Sequence, residues 1–278
     1  MSSRFEFLGN ATLGQYIPRE SWFHKRDPRA RLISIFVIFT SIIFTPGLWG
    51  LFIGLIYVSL IYLLAQLPVQ NTWSGIKKAL PFILILAILQ ILFHQTIEGD
   101  VVLTEIIGVE ITQNAIISAV ILIARFLVLI VLLNTFVMSL STSQVTAAIF
   151  HLLKPFESLG FPVNDLTMVV QITMRYIPLI AQLAEKTTKA QAARGADWEK
   201  RGFNPVKQAK RVIPLIVPLI VNSLRKSETM ALAMESRGFY AAHQRSSFHV
   251  LAFDWEDSTL VLVSSIISLV IIFSGRIF

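Results

Sequence analysis

At 278 residues and 31.2 kDa, the chain is 54% hydrophobic and 15% charged, with a mean hydropathy of +0.67. Ordinary soluble domains carry about 25% charged residues, so this composition argues against a water-soluble enzyme and for membrane spans. Cysteine is absent, which excludes a disulfide framework, a Cys-ligated metal centre and a thiol nucleophile, and the net charge is +7.

Met1 to Arg31 contains no apolar core of a signal peptide and carries six basic and three acidic residues, so residues 1–30 read as a cytosolic N-terminal segment. From Leu32 to Ile76 no Asp, Glu, Lys or Arg occurs, and Pro46-Gly47 and Pro68 punctuate the run. A span needs roughly 17–25 apolar residues, so the run is two helices, about 31–45 and 48–66. A third span is expected at about 80–96 and a fourth at about 114–138, interrupted only by Arg125; Ser258 to Gly275 supplies a fifth. The spans of 31–138 thus form four transmembrane helices, 139–257 a cytoplasmic or interfacial domain, and 258–278 the last transmembrane helix.

Orientation follows from the loop charges. Lys77 and Lys78 come after the second span, whereas Glu98, Asp100, Glu105 and Glu110 come after the third with no basic residue among them. The positive-inside rule then puts the N-terminus and 139–257 in the cytoplasm, and the 97–113 loop and the C-terminus outside. Between Glu185 and Arg245 there are 12 basic and 5 acidic residues, a surplus equal to that of the whole chain. The basicity belongs to this region, beside a membrane, and does not call for nucleic acid.

Two apolar stretches lie within it. Leu166–Ala184 carries Gln171, Arg175 and Pro178, and Val212–Leu224 carries Pro214 and Pro218. Thirteen residues rise about 20 Å as a helix, too short to cross, so both read as helices half buried in the interface or against other helices. A further hairpin of spans at 166–184 and 207–224 would preserve the sidedness and stays open.

The same region holds a repeat. Glu185 is followed nine residues later by Arg194-Gly195, and Glu228 nine residues later by Arg237-Gly238, an offset of 43 residues in both cases. Arg in the last turn with Gly at C′ is an ordinary helix cap, in which Gly takes the left-handed conformation. Such a cap also stops the helix abruptly and leaves an Arg at an exposed tip, suited to fork-like contact with a partner's carboxylates or carbonyls. Arg201-Gly202 follows Asp197-Trp198-Glu199-Lys200, which offers no long helix, and reads as an isolated pair.

Four or five spans followed by a long basic region with two tips, Ala193-Arg194-Gly195 and Ser236-Arg237-Gly238, closely resemble the transmembrane T component of energy-coupling factor (ECF) transporters. The resemblance covers nearly the whole chain. It implies an all-α integral membrane protein: a bundle of about five transmembrane helices plus a cytoplasmic coupling domain of long amphipathic helices. It further implies a multi-pass cell-membrane subunit that couples two ABC-type ATPase subunits to an S component, the small membrane protein that binds the vitamin or micronutrient. Each tip Arg, here Arg194 and Arg237, is then expected in a groove of one ATPase.

The remaining residues fit a non-catalytic chain. No glycine is followed by Lys, so there is no phosphate-cradling G-K-[ST] loop, and ATP hydrolysis is expected in other chains. The histidines form no zinc-binding spacing and no Gly-x-Ser-x-Gly elbow exists, so neither a metal nor a cofactor is expected. Arg125, near mid-span, costs about 2.5–3.5 kcal/mol on insertion scales, and is expected to be satisfied by helix carbonyls or an acidic partner. Arg175 reads as an interfacial or interhelical donor. A self-sufficient secondary transporter would predict span repeats and further mid-membrane ionisable residues, and a non-transporting scaffold would not need paired tips.

Overall fold

The computed structural model describes residues 16–94, 102–106, 109–195, 205–239 and 253–277. Its helices are α1 Trp22–Lys25, α2 Pro28–Phe44, α3 Leu48–Leu64, α4 Val69–Leu92, α5 Gln113–Ser139, α6 Thr142–Leu153, α7 Val163–Ala193, α8 Pro205–Ser236 and α9 Trp255–Ile277. Among the described residues the only sheet is an antiparallel hairpin, β1 Val102–Ile106 and β2 Val109–Thr112, between α4 and α5. The chain is an all-α integral membrane protein in its architecture, and among the described residues this hairpin is the one pair of strands. Contacts divide the described residues into two compact units, 16–159 with 253–277, and 160–239.

The first unit is the bundle. Asp27 caps α2 by accepting the Arg29 N–H at 2.8 Å, with Pro28 at the first helical position, where its missing N–H costs nothing. Thr112 caps α5 through the Ala115 N–H at 3.2 Å, and Ser141 with Gln144 closes a reciprocal capping box at the start of α6. Helix α4 begins at Val69, well before the expected 80, so Lys77 and Lys78 lie inside a helix rather than in a loop. The uncharged run marks where a helix is apolar, not where it starts; the Lys77 ammonium finds the Trp73 ring face, 5.5 Å from its centroid.

Lipid is as apolar as leucine, so spans associate through close packing and interhelical hydrogen bonds. The α2–α9 contact uses both. Ser41 Oγ donates to the Ser268 carbonyl at 3.1 Å, and Ser268 Oγ to the Val37 carbonyl at 3.5 Å. Tyr57 OH and Ser264 Oγ join α3 to α9 at 2.6 Å. Gly50 lets α3 approach both neighbours, since a Cβ there would lie 2.4 Å from Thr45 Cγ2 and 2.7 Å from the Ile271 carbonyl. Around these contacts Ile38, Ile42, Leu51, Val58, Leu132 and Ile271 form the buried core.

One end of the bundle is tied by polar groups. Arg31 is 1% exposed and donates from Nη1 to the Ser139 carbonyl at 2.7 Å. The Asp257 carboxylate accepts the Asp27 N–H and the Asp254 N–H, both at 2.9 Å, joining the starts of α2 and α9. Arg26 pairs with Glu256, which also accepts the Trp22 indole N–H at 3.1 Å. Burial, then the charge of Arg31, holds the His24 imidazole below its ordinary range. Helix α6, which sequence alone set beyond the spans, packs against α2 in this same unit.

The second unit contains α7 and α8, packed on one another. Both run through their prolines: Pro178 lies inside α7, Pro214 and Pro218 inside α8. The apolar stretches 166–184 and 212–224 are therefore parts of helices 31 and 32 residues long, about 47 Å each. A proline removes one N–H and crowds one turn, which long helices with flanking bonds on both sides absorb. Among the described residues, α4, α5, α7 and the Trp255–Ser274 part of α9 are long and apolar enough to cross a membrane; α3 is apolar but has 17 residues. The chain is thus a multi-pass membrane protein, and α7 meets the requirement for a span that its sequence left open.

Candidate partner-binding tips

Helix α7 approaches its end through Glu185 and Lys189, paired at 2.5 Å across one turn. The last turn tightens: the Arg194 N–H is shared between the Ala190 and Gln191 carbonyls at 3.3 and 3.1 Å, and the Gly195 N–H donates to Ala192 at 3.0 Å. Gly195 has φ +88°, the left-handed C′ position that turns the chain away from the helix axis.

Helix α8 ends in the same way. The Gly238 N–H donates to the Glu235 carbonyl at 2.9 Å and the Phe239 N–H to Met234 at 3.1 Å, while Gly238 has φ +72°. These two bonds are the paired closure of a Schellman cap. Ser236 Oγ donates to the Ala233 carbonyl at 3.0 Å, so its hydroxyl is spent on its own helix. A Cβ added at Gly195 or Gly238 would meet nothing within 4 Å, so it is the positive φ, not crowding, that requires glycine at both positions.

All six residues singled out by sequence, Ala193, Arg194, Gly195, Ser236, Arg237 and Gly238, are exposed. Neither Arg194 nor Arg237 makes a side-chain hydrogen bond or ion pair among the described residues. Among the described residues each guanidinium thus keeps its donors free, at a helix end held by its own backbone bonds. Each tip is complete within its own helix. The third pair, Arg201-Gly202, lies outside the described residues, as do Glu98 and Asp100 of the acidic loop.

Upstream of each tip lies an apolar stripe that the sequence reading treated only as a stretch. On α8, Ile213, Ile216, Val217, Ile220, Val221 and Leu224 are exposed at helical spacing, and on α7 Leu166, Val169, Ile177 and Ile180 are exposed likewise. The signal that could have found them is the three-and-four spacing within 213–224, once the prolines are allowed inside the helix. Phe239, which closes the second cap, was also missed; its only sequence signal is an apolar residue directly after the Gly. Arg175 is exposed on α7 and makes no interhelical hydrogen bond among the described residues. Arg125, by contrast, meets a helix carbonyl, donating from Nη2 to Thr45 O at 2.5 Å, while its buried Nε has no hydrogen-bond partner among the described residues.

A family model described as a cobalt transport protein, CbiQ, matches residues 19–249. The chain is 32% identical over 268 residues to an energy-coupling factor transporter transmembrane protein EcfT of Leuconostoc gelidum, covering 96% of this chain and 97% of the relative. It is 31% identical over 277 residues to the EcfT of Bacillus subtilis, covering 97% and 99%, and 32% identical over 273 residues to that of Lactococcus lactis, covering 97% and 100%.

Proposed function

The chain belongs to the EcfT family of energy-coupling factor transporter transmembrane proteins, and from that premise we propose that it is the coupling subunit of an ATP-driven vitamin or micronutrient importer. In this reading it joins two ABC-type ATPases to an S component and hydrolyses nothing itself. The observation that carries the proposal is the pair of exposed caps, each with a left-handed Gly and an uncommitted Arg. An Arg whose donors are already spent would serve its own fold; two left open on rigid helix ends are ready for acceptors supplied by another chain.

The proposed cycle uses the chain's two units in turn. ATP binding draws the ATPases together, and the tips at Arg194 and Arg237 follow the grooves that hold them. Helices α7 and α8, continuous over 31 and 32 residues, carry that displacement away from the tips. Their exposed apolar stripes suit a membrane-embedded partner, so the S component is the second body moved, tilting so that its site changes sides. Coupling of this kind requires an element with two arrangements whose balance nucleotide shifts, and the α7–α8 pair is that element. The orientation belongs to the same proposal: the end of the bundle that holds Arg31, Asp27 and Asp257 faces the cytoplasm, with Lys77 and Lys78 near it.

The test is the composition of the complex. Solubilised in detergent and purified from its own cells, the chain should bring with it two ATPase subunits and one small hydrophobic protein, identified by mass spectrometry. Purified alone it should show no ATPase activity. A chain that binds nucleotide by itself, or that copurifies with no ATPase, contradicts the proposal.

A further inference from the structure

Arg125 is not used by the proposed coupling, and its surroundings are unusual for a charge in a span. It sits midway along α5, half buried, and its one hydrogen bond among the described residues goes to Thr45 O, the carbonyl at the C-terminal cap of α2. The last carbonyls of a helix lack intrahelical partners, so that bond is natural. It occupies one of the five N–H donors of a guanidinium. Nε is buried without a hydrogen-bond partner, and no carboxylate among the described residues pairs with the side chain. Most of the donors of a permanent cation are left over, inside a helix apolar enough to span a membrane.

The depth of that cation can be read from the other end. Arg31 of α2 is bonded to the Ser139 carbonyl of α5, and Thr45 of α2 is bonded to Arg125 of α5. From Arg31 to Thr45, and from Ser139 back to Arg125, each helix climbs about 21 Å, so the two bonds are consistent rungs between antiparallel helices. Helix α2 therefore stops at the level of Arg125. Helices α2 and α3 have 17 residues each, about 25 Å, against a hydrocarbon core of about 30 Å, while α5 continues about 18 Å beyond Arg125 to Gln113. Over the Thr45–Gly47 connection the protein ends short of a full leaflet, beside a helix that does not. Trp49, 63% exposed at this connection, is of the residue type that settles at headgroup depth, and Phe44 and Leu48 are exposed beside it.

A short apolar segment is accommodated by thinning the bilayer around it, which brings headgroups down to the segment's end. The end of the α2–α3 pair is where Arg125 holds its unused donors. We propose that Arg125, at the α2–α3 connection, binds the phosphate of a phospholipid from the leaflet at that end of the bundle. The planar guanidinium offers two parallel N–H donors to two phosphate oxygens while Nη2 keeps its bond to Thr45, and the acyl chains lie along Phe44, Leu48 and Trp49.

The test uses the full-length chain reconstituted in phosphatidylglycerol-containing vesicles, extracted, and examined by native mass spectrometry. The wild type should retain one phospholipid more than Arg125→Gln, with Arg125→Lys between them. Equal retention in wild type and a folded Arg125→Gln overturns the site, and displacement of the bound species by inorganic phosphate assigns it to solution and overturns the lipid source. Should Arg125→Gln fail to fold, a chain with Trp49 as its sole tryptophan, reconstituted with brominated lipids, decides. Quenching strongest from bromines near the acyl carbonyls supports headgroups at this depth, and quenching strongest from bromines near the methyl ends refutes them.

Discussion

Gly50 and Gly54 lie one turn apart on α3, and their substitutions by Ala should differ sharply. At Gly50 the added methyl would meet the Thr45 side chain at 2.4 Å and the Ile271 main-chain carbonyl at 2.7 Å, both inside contact distance. The carbonyl belongs to α9, which is held to α2 by the Ser41 and Ser268 bonds, so it cannot swing aside without opening that interface. At Gly54 the methyl would meet Ile42 at 3.5 Å and Ile271 at 3.6 Å, ordinary van der Waals contact. Overpacking of the first kind costs about 1–3 kcal/mol, whereas the second should be neutral or slightly favourable because Ala forms helix better than Gly. At about 2–4 °C per kcal/mol, Gly50→Ala should lower the apparent Tm in detergent by several degrees, with Gly54→Ala at or above wild type. Size-exclusion chromatography after graded heating reads both. Equal midpoints for the two variants would refute the packing described for α2, α3 and α9.

Three further outcomes are expected. Asp257→Ala should leave the Asp27 and Asp254 N–H groups unpaired at about 1–3 kcal/mol each, lowering the apparent Tm and speeding hydrogen exchange at both amides, while Asp257→Asn should recover part of the loss. His24 is held below its ordinary range by burial and by Arg31, so the unfolded chain takes up a proton near pH 6.5 that the folded chain refuses; stability should fall as pH drops from about 7.5 through 6.5, and thermal midpoints of His24→Gln should show a shallower pH slope. Gly195→Val and Gly238→Val should each misdirect a tip by penalising positive φ, weakening ATPase copurification while leaving the thermal midpoint close to wild type.

Much of this is legible in the sequence itself, for reasons that differ by element. The spans announce themselves because a bilayer tolerates no loose charge, so the uncharged runs at 32–76 and 258–275 locate α2, α3 and α9 well. The start of α4 was misplaced because the same criterion is silent about a helix that continues past its apolar part, as α4 does through Lys77 and Lys78. The same criterion shortened the helices of the basic region: 166–184 and 212–224 read as short apolar helices, yet α7 and α8 continue past both ends of those stretches. The hairpin at 102–112 gave no turn signal that the charge argument used. The tips were legible because an Arg-Gly pair ending a helix-favouring run has one economical conformation, and both glycines adopt it. What sequence could not supply is contact across the chain: that Arg125 finds Thr45, that Arg31 finds Ser139, and that Asp257 caps two helices at once.

Arg194 and Arg237 are the proposed docking points, and one measurement tests them most directly: ATPase binding to the detergent-solubilised chain bearing Arg194→Ala, Arg237→Ala or both. A charge-assisted hydrogen bond lost at a partly buried interface costs on the order of 1.5–3 kcal/mol, so each single change should weaken docking about 10- to 150-fold. The double change should abolish stable copurification, with the thermal midpoint and S-component retention near wild type, since both side chains are exposed and neither makes a hydrogen bond or ion pair among the described residues. A double variant that still assembles with both ATPases at wild-type affinity would show the two tips to be helix caps and nothing more.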